Sequence, residues 1–191
     1  MKSIKGTQTE KNLLKSFAGE SQARNRYDYF GSKARKEGYR QVAEIFERTS
    51  QEEREHAKRF FNFLEGGDLE IQATFPAGKV GSTLENLLAA AQGEHEEHTA
   101  LYPEFARVAR EEGFLEVAVI WDKVSVAEKG HEDRYRKLAA NLKEGRAFKR
   151  EAPVWWRCMN CGYLVQATEA PGLCPACLHP QAHFELLAEN Y

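Results

Sequence analysis

Cysteine is absent from the first 157 residues, and all four in this 191-residue chain fall between positions 158 and 177. That crowding argues against a dispersed disulfide framework and for one local site. No apolar run is long enough to span a bilayer, so no membrane partner is expected. Excess charge of one sign is also missing. A formal net charge of −2, with both signs interspersed, gives no reason to expect a nucleic acid. The stretch from Met1 to Leu14 is polar and lacks an apolar h-region, so no secretory signal is expected and the cytoplasm is the expected compartment. No Gly-x-Gly-x-x-Gly fingerprint occurs, so the chain should not hold a nicotinamide cofactor itself. What remains, 42% hydrophobic and 29% charged, is ordinary for a globular protein with one full core and a small satellite.

The core pattern is helical. Val117, Trp121, Val124, Glu128, His131, Tyr135, Leu138 and Leu142 recur at three- and four-residue spacing, the stripe of a bundle helix. A second stripe reads Phe46, Thr49, Glu53, His56, Phe60, Phe63. Each holds a carboxylate and an imidazole three residues apart where oil is expected. A glutamate is almost never fully buried unless paired, so a cation must sit between these helices.

In chain order, the first helix is expected over Gln8–Glu37, broken by Gly38, and the second over Tyr39 to about Glu65. A long connection, Asp68–Gly81, leads to a third helix capped by Ser82 or Thr83, with Glu85 placed to close a capping box. That helix runs to Glu112 and contains Pro103, a point for a kink. The fourth ends near Gly145. Two tight turns and one long crossover describe a ferritin-like four-helix bundle. Residues 1–146 are assigned to it, 147–154 to a basic, irregular linker, and 155–191 to a separate turn-rich unit.

The bundle is a duplicated helix pair. A shift of 75 residues carries Tyr27, Phe30, Gly38, Val42, Ser50, Glu53 and His56 onto Tyr102, Phe105, Gly113, Val117, Ser125, Glu128 and His131. Gly19-Glu20, however, meets Gly93-Glu94 at a shift of 74. One extra residue therefore lies between Glu94 and Tyr102, and a helix absorbs it most simply as a π-bulge.

Di-iron carboxylate bundles use one Glu from each of two helices and Glu-x-x-His from each of the others. Glu20 and Glu94 supply the first kind; Glu53/His56 and Glu128/His131 supply the second. Residues i and i+3 share a helix face, so each pair reaches one centre. Oxygen and imidazole together suit iron or manganese. Glu97, one turn beyond Glu94, is a seventh candidate or else a surface partner for a basic side chain. If it faces the metals, seven ligands compete for six positions, and one iron is expected to exchange Glu97 for His56 as its oxidation state changes. Tyr27 and Tyr102 either hydrogen-bond the carboxylates or simply fill the core. Glu52, Glu55, Glu111, Glu112 and Glu132 read as solvated surface groups, and His95, His98, His179 and His183 have no assigned role.

Cys158-x-x-Cys161 and Cys174-x-x-Cys177 form two knuckles separated by a twelve-residue loop. Four thiolates so spaced make a tetrahedral site for one zinc or one iron. Two disulfides are the alternative, disfavoured by a reducing compartment. Spacing does not separate the metals, but the neighbouring redox-capable centre favours iron.

Taken together, Gly19-Glu20-Ser21-Gln22-Ala23-Arg24-Asn25-Arg26-Tyr27, Glu53-x-x-His56, Glu94-x-x-Glu97, Glu128-x-x-His131 and the paired knuckles resemble the rubrerythrin family over essentially the full length. The resemblance implies a mainly α chain, a ferritin-like bundle followed by a small β-rich rubredoxin-like metal domain. It implies a binuclear non-haem iron site with Glu53 and Glu128 as bridges, Glu20 and Glu94 as terminal ligands, and the Glu97/His56 exchange. It further implies a mononuclear four-cysteine iron site and reduction of hydrogen peroxide to water in protection against oxidative stress. Electrons would come from NAD(P)H through an external reductase or a rubredoxin. Because His131 lies about 20 Å from the end of its helix, a head-to-tail homodimer is expected, one subunit's cysteine iron serving the other's bundle. The rival readings are a ferroxidase or iron-storage protein, and a redox-inert scaffold with zinc in the cysteine site.

Overall fold

A computed structural model describes residues 2–190. Five α-helices form the bundle: α1 (Gln8–Lys36), α2 (Arg40–Phe61), α3 (Thr83–Glu96), α4 (Tyr102–Glu111) and α5 (Leu115–Lys143). Between α3 and α4 runs a π-helical turn, Glu97–Leu101, in which the Tyr102 amide reaches back to the Glu97 carbonyl. The extra residue inferred from the repeat is thus held as a π-turn, and α3, the π-turn and α4 make one bundle helix. Pro103 sits in the first turn of α4, where a missing amide donor costs least.

The capping box is formed: the Ser82 hydroxyl accepts from the Glu85 amide, and the Glu85 carboxylate accepts from the Ser82 amide at 2.8 Å. A second kind of cap links the two repeats. Glu37, at the end of α1, accepts from the Thr83 amide at 2.8 Å and its hydroxyl at 2.6 Å. Its counterpart Glu112, at the end of α4, accepts from the amide and hydroxyl of Thr9 at 2.8 and 2.6 Å. Glu112, expected as a solvated group, is therefore a cap. A carboxylate at a helix N-terminus satisfies orphan amides and faces the positive end of the dipole.

Two apolar clusters fill the bundle. Tyr27, Phe30, Phe46, Leu87, Tyr135 and Leu138 belong to one; Leu13, Phe60, Tyr102, Phe105, Val117 and Trp121 belong to the other. Among the described residues, no helix is long and apolar enough to cross a membrane.

The second helix ends at Phe61, four residues short of the expected Glu65, in turns at Phe63 and Leu64. The fourth ends at Lys143, two short of Gly145, whose positive φ suits the residue beyond a helix end. Most of residues 147–154 is not irregular, as expected of a linker, but strand. β1 (Lys149–Cys158) pairs antiparallel with β2 (Leu164–Glu169) and β3 (Phe184–Leu186) in the order β2-β1-β3, and a bulge between Lys149 and Val154 explains why no clean alternation marks it. This sheet leans on the bundle. Tyr39 stacks on Phe148, and Arg40 at the start of α2 meets His183 Nε2 at 3.0 Å.

Candidate metal centres

Glu20 on α1, Glu53 on α2, Glu94 on α3 and Glu128 on α5 point into the bundle with at most 1% of their surface exposed. Two donor groups overlap there: Glu20, Glu53, His56, Glu128 and Glu53, Glu94, Glu128, His131, each with one ligand atom per residue inside 4.8 Å. Glu53 and Glu128 stand in both. His56 Nδ1 lies 2.9 Å from Glu53 Oε2 and from Glu128 Oε1. His131 Nδ1 lies 2.7 Å from Glu128 Oε2 and 3.1 Å from Glu53 Oε1.

Proximity does not satisfy these groups. Glu20 Oε2, Glu53 Oε1, Glu94 Oε2, both Glu128 oxygens and His131 Nδ1 are buried without a hydrogen-bond partner. Their lone pairs converge on shared space instead of aligning with donors. Burial first, and neighbouring carboxylates next, push Glu20 and Glu97 well above the usual carboxylate range; Glu94 is raised for the same reasons. Burial would lower His56, but the hydrogen-bonding carboxylates of Glu128 and Glu53 push it up to about 10. Such a cluster costs several kcal/mol per ion unless cations compensate it. Its oxygen and imidazole donors fit a binuclear iron site.

The supporting groups are equally ordered. The buried Tyr27 hydroxyl donates to Glu94 Oε1 and the buried Tyr102 hydroxyl to Glu20 Oε1, each at 2.5 Å. Each tyrosine thus braces a carboxylate across the repeat, and burial keeps both phenols protonated. Glu52, expected to be solvated, meets His131 Nε2 at 3.2 Å and Arg134 at 2.9 Å. It orients the outer nitrogen of one histidine. At the equivalent place before Glu128 stands Ala127, so His56 has no such brace. Glu97 is half-buried on the π-turn and outside both donor groups, whereas His56 is inside.

In the C-terminal unit, Cys158 Sγ lies 3.8 Å from Cys177 Sγ and Cys161 Sγ 3.6 Å from Cys174 Sγ. Those separations are far too long for disulfides, which need about 2.05 Å. They match the ~3.8 Å sulfur spacing of a tetrahedron with metal–sulfur bonds of about 2.3 Å. The backbone amide of His179 holds the Cys177 thiol down to about 6, which favours a thiolate ligand. The four cysteines fit a mononuclear iron site.

One cluster escaped the sequence reading. Glu132, expected on the surface, is 6% exposed and contacts His98, His95 and Arg136. A buried glutamate needs partners, and its two histidines come from a different bundle helix, which seam spacing does not reveal. Glu55 and Glu111 are exposed as expected.

A family model described as Rubrerythrin matches residues 11–139, and one described as "Rubrerythrin, rubredoxin-like domain" matches residues 156–185. The chain is 60% identical to rubrerythrin from Nitratidesulfovibrio vulgaris, with all of both chains covered. It is 57% identical to rubrerythrin from Porphyromonas gingivalis, covering all of this chain and 95% of that one. Among solved structures, nigerythrin in its fully reduced, all-ferrous state matches with a TM-score of 0.63 and 27% identity, over 96% of this chain and 91% of that one.

Proposed function

Because the chain belongs to the rubrerythrin family, we propose that it is a peroxidase, reducing hydrogen peroxide to water at the bundle centre. The observation that carries this reading is the pairing of unsatisfied inward carboxylates with a separate four-cysteine site in one chain. When bound, a ferrous pair supplies the two electrons that cleave the O–O bond, and the cysteine iron supplies their replacements, from NAD(P)H through an external reductase or a rubredoxin.

The remaining work falls to side chains. Glu53 and Glu128, common to both donor groups, would hold both irons, with Glu20 and His56 serving one and Glu94 and His131 the other. Tyr27 and Tyr102 hold Glu94 and Glu20 in place by donating hydrogen bonds. The two apolar clusters limit water around the centre. Glu97 and His56 would be alternative ligands to one iron. Two features support that exchange: Glu97 rides on a π-turn, and His56 lacks the carboxylate that fixes His131.

The cysteine unit packs against the start of α2. Sixteen residues separate Arg40 from His56, which is about 24 Å at 1.5 Å per residue. A head-to-tail homodimer, in which one protomer's cysteine iron faces its partner's bundle, shortens that path. Four free thiols suit a reducing compartment, so the proposed location is the cytoplasm.

With a suitable reductase and NAD(P)H, the iron-replete protein should consume peroxide catalytically, and replacing Cys158 and Cys174 by Ser should abolish turnover from NAD(P)H. Iron mineralisation without catalytic peroxide consumption would instead identify a ferroxidase.

A further inference from the structure

On the outer side of the π-turn, His95, His98 and Glu132 form a compact group separate from the bundle centre. His98 Nε2 lies 2.5 Å from Glu132 Oε2, and His95 Nδ1 lies 3.2 Å from Glu132 Oε1. One potential ligand atom from each residue lies within 4.8 Å of the others.

The contacts have the same character as those at the bundle centre. There, His56 aligns with Glu53 as a hydrogen bond, whereas His131 Nδ1 approaches carboxylates closely and yet stays unpartnered. Here, His98 aligns with Glu132, whereas His95 Nδ1, although close to the same carboxylate, is a buried atom with no hydrogen-bond partner. A nitrogen lone pair beside a carboxylate, aimed past it, is placed to share a cation. Arg136 Nε donates to Glu132 Oε1 at 2.6 Å, the oxygen nearer His95, while Oε2 faces His98.

We propose that His95, His98 and Glu132 constitute an additional binding site for a divalent first-row cation, Fe2+ or Zn2+. Two neutral imidazoles and one carboxylate suit such ions and are poor ligands for Mg2+ or Ca2+, which prefer all-oxygen shells. The His95 side chain is 45% exposed, so the ion enters directly from solvent. His98 belongs to the π-turn and Glu132 to α5. A cation between them ties the turn that carries Glu97 to the helix that carries His131.

The test uses holoprotein with its bundle and cysteine irons in place, equilibrated anaerobically with Zn2+ in one arm and Fe2+ in the other, then analysed for metal per chain. Wild type should retain one equivalent more than H98N and H95N in at least one arm, and the responding arm names the ion. In that arm, amide exchange across residues 97–101 should slow in wild type and not in H98N. If H98N proves unable to hold its bundle iron, H95N, altered at an exposed side chain, decides alone. Equal retention by wild type and the variants in both arms overturns the proposal.

Discussion

At the scale of single residues, the two histidines of the bundle centre are unequal although the sequence repeats them. Glu52 braces His131 Nε2, while Ala127 leaves His56 without that partner. Carboxylates behind a ligating histidine commonly account for 10–100-fold in metal affinity. Glu52→Ala should therefore weaken the His131 side of the centre by about that factor in competition against a chelator; unchanged affinity would show that His131 needs no brace. A second prediction concerns Leu178. It follows the second knuckle with φ of 58°, where Gly162 follows the first with φ of 76°, and each amide bonds the first cysteine's carbonyl at 2.8 Å. A left-handed conformation costs a non-glycine residue about 1–2 kcal/mol, partly offset by glycine's larger chain entropy. Leu178 is 75% exposed and loses little packing. Leu178→Gly should stabilise the cysteine unit by about 0.5–1 kcal/mol, read as greater denaturant resistance of its thiolate–metal absorption.

At the scale of elements, the mutual caps between repeats explain why the bundle closes as it does. The Thr83 hydroxyl, Lys33 and the Thr83 amide hold the Glu37 carboxyl down to about 2. A depressed carboxylate contributes stability above its unfolded-state value near 4.5 and loses it as pH falls towards 2. Glu37→Gln should thus lower stability by about 1 kcal/mol at neutral pH, and the gap to wild type should close as acid is added through that window. A gap constant with pH would mean the carboxylate's charge is irrelevant to the cap. The elements were legible where local pattern decides. Gly38 and Gly113 marked the tight turns, Ser82 and Glu85 the cap, and the 74-residue offset the π-turn. The early end of α2 and the start of β1 were not legible. Phe63 and Leu64 keep the apolar pattern after the helix stops, and a bulge hides strand alternation.

At the scale of the whole molecule, the bundle folds around acidic groups that only cations make tolerable. Every carboxylate in the two donor groups occupies a seam position, which is why spacing exposed them all. Glu52, Glu132, His95 and His98 stayed hidden because their partners lie on other helices, a relation no single-helix period encodes. Removing metal should destabilise the protein more at pH 8 than at pH 5.5. Burial raises Glu20 and Glu94, so in metal-free protein their contribution is favourable at low pH and lost as pH rises through those raised values. Thermal melts with and without chelator at the two pH values measure the difference, and equal losses would contradict it.

Anomalous scattering at the iron edge from crystals of iron-replete protein tests most directly the proposal that the inward glutamates hold two irons. Two peaks are expected between Glu53 and Glu128, one beside Glu20 and His56 or Glu97, the other beside Glu94 and His131, with a further peak among the four cysteine sulfurs. A bundle without iron, or one whose glutamates have turned to solvent, would contradict it.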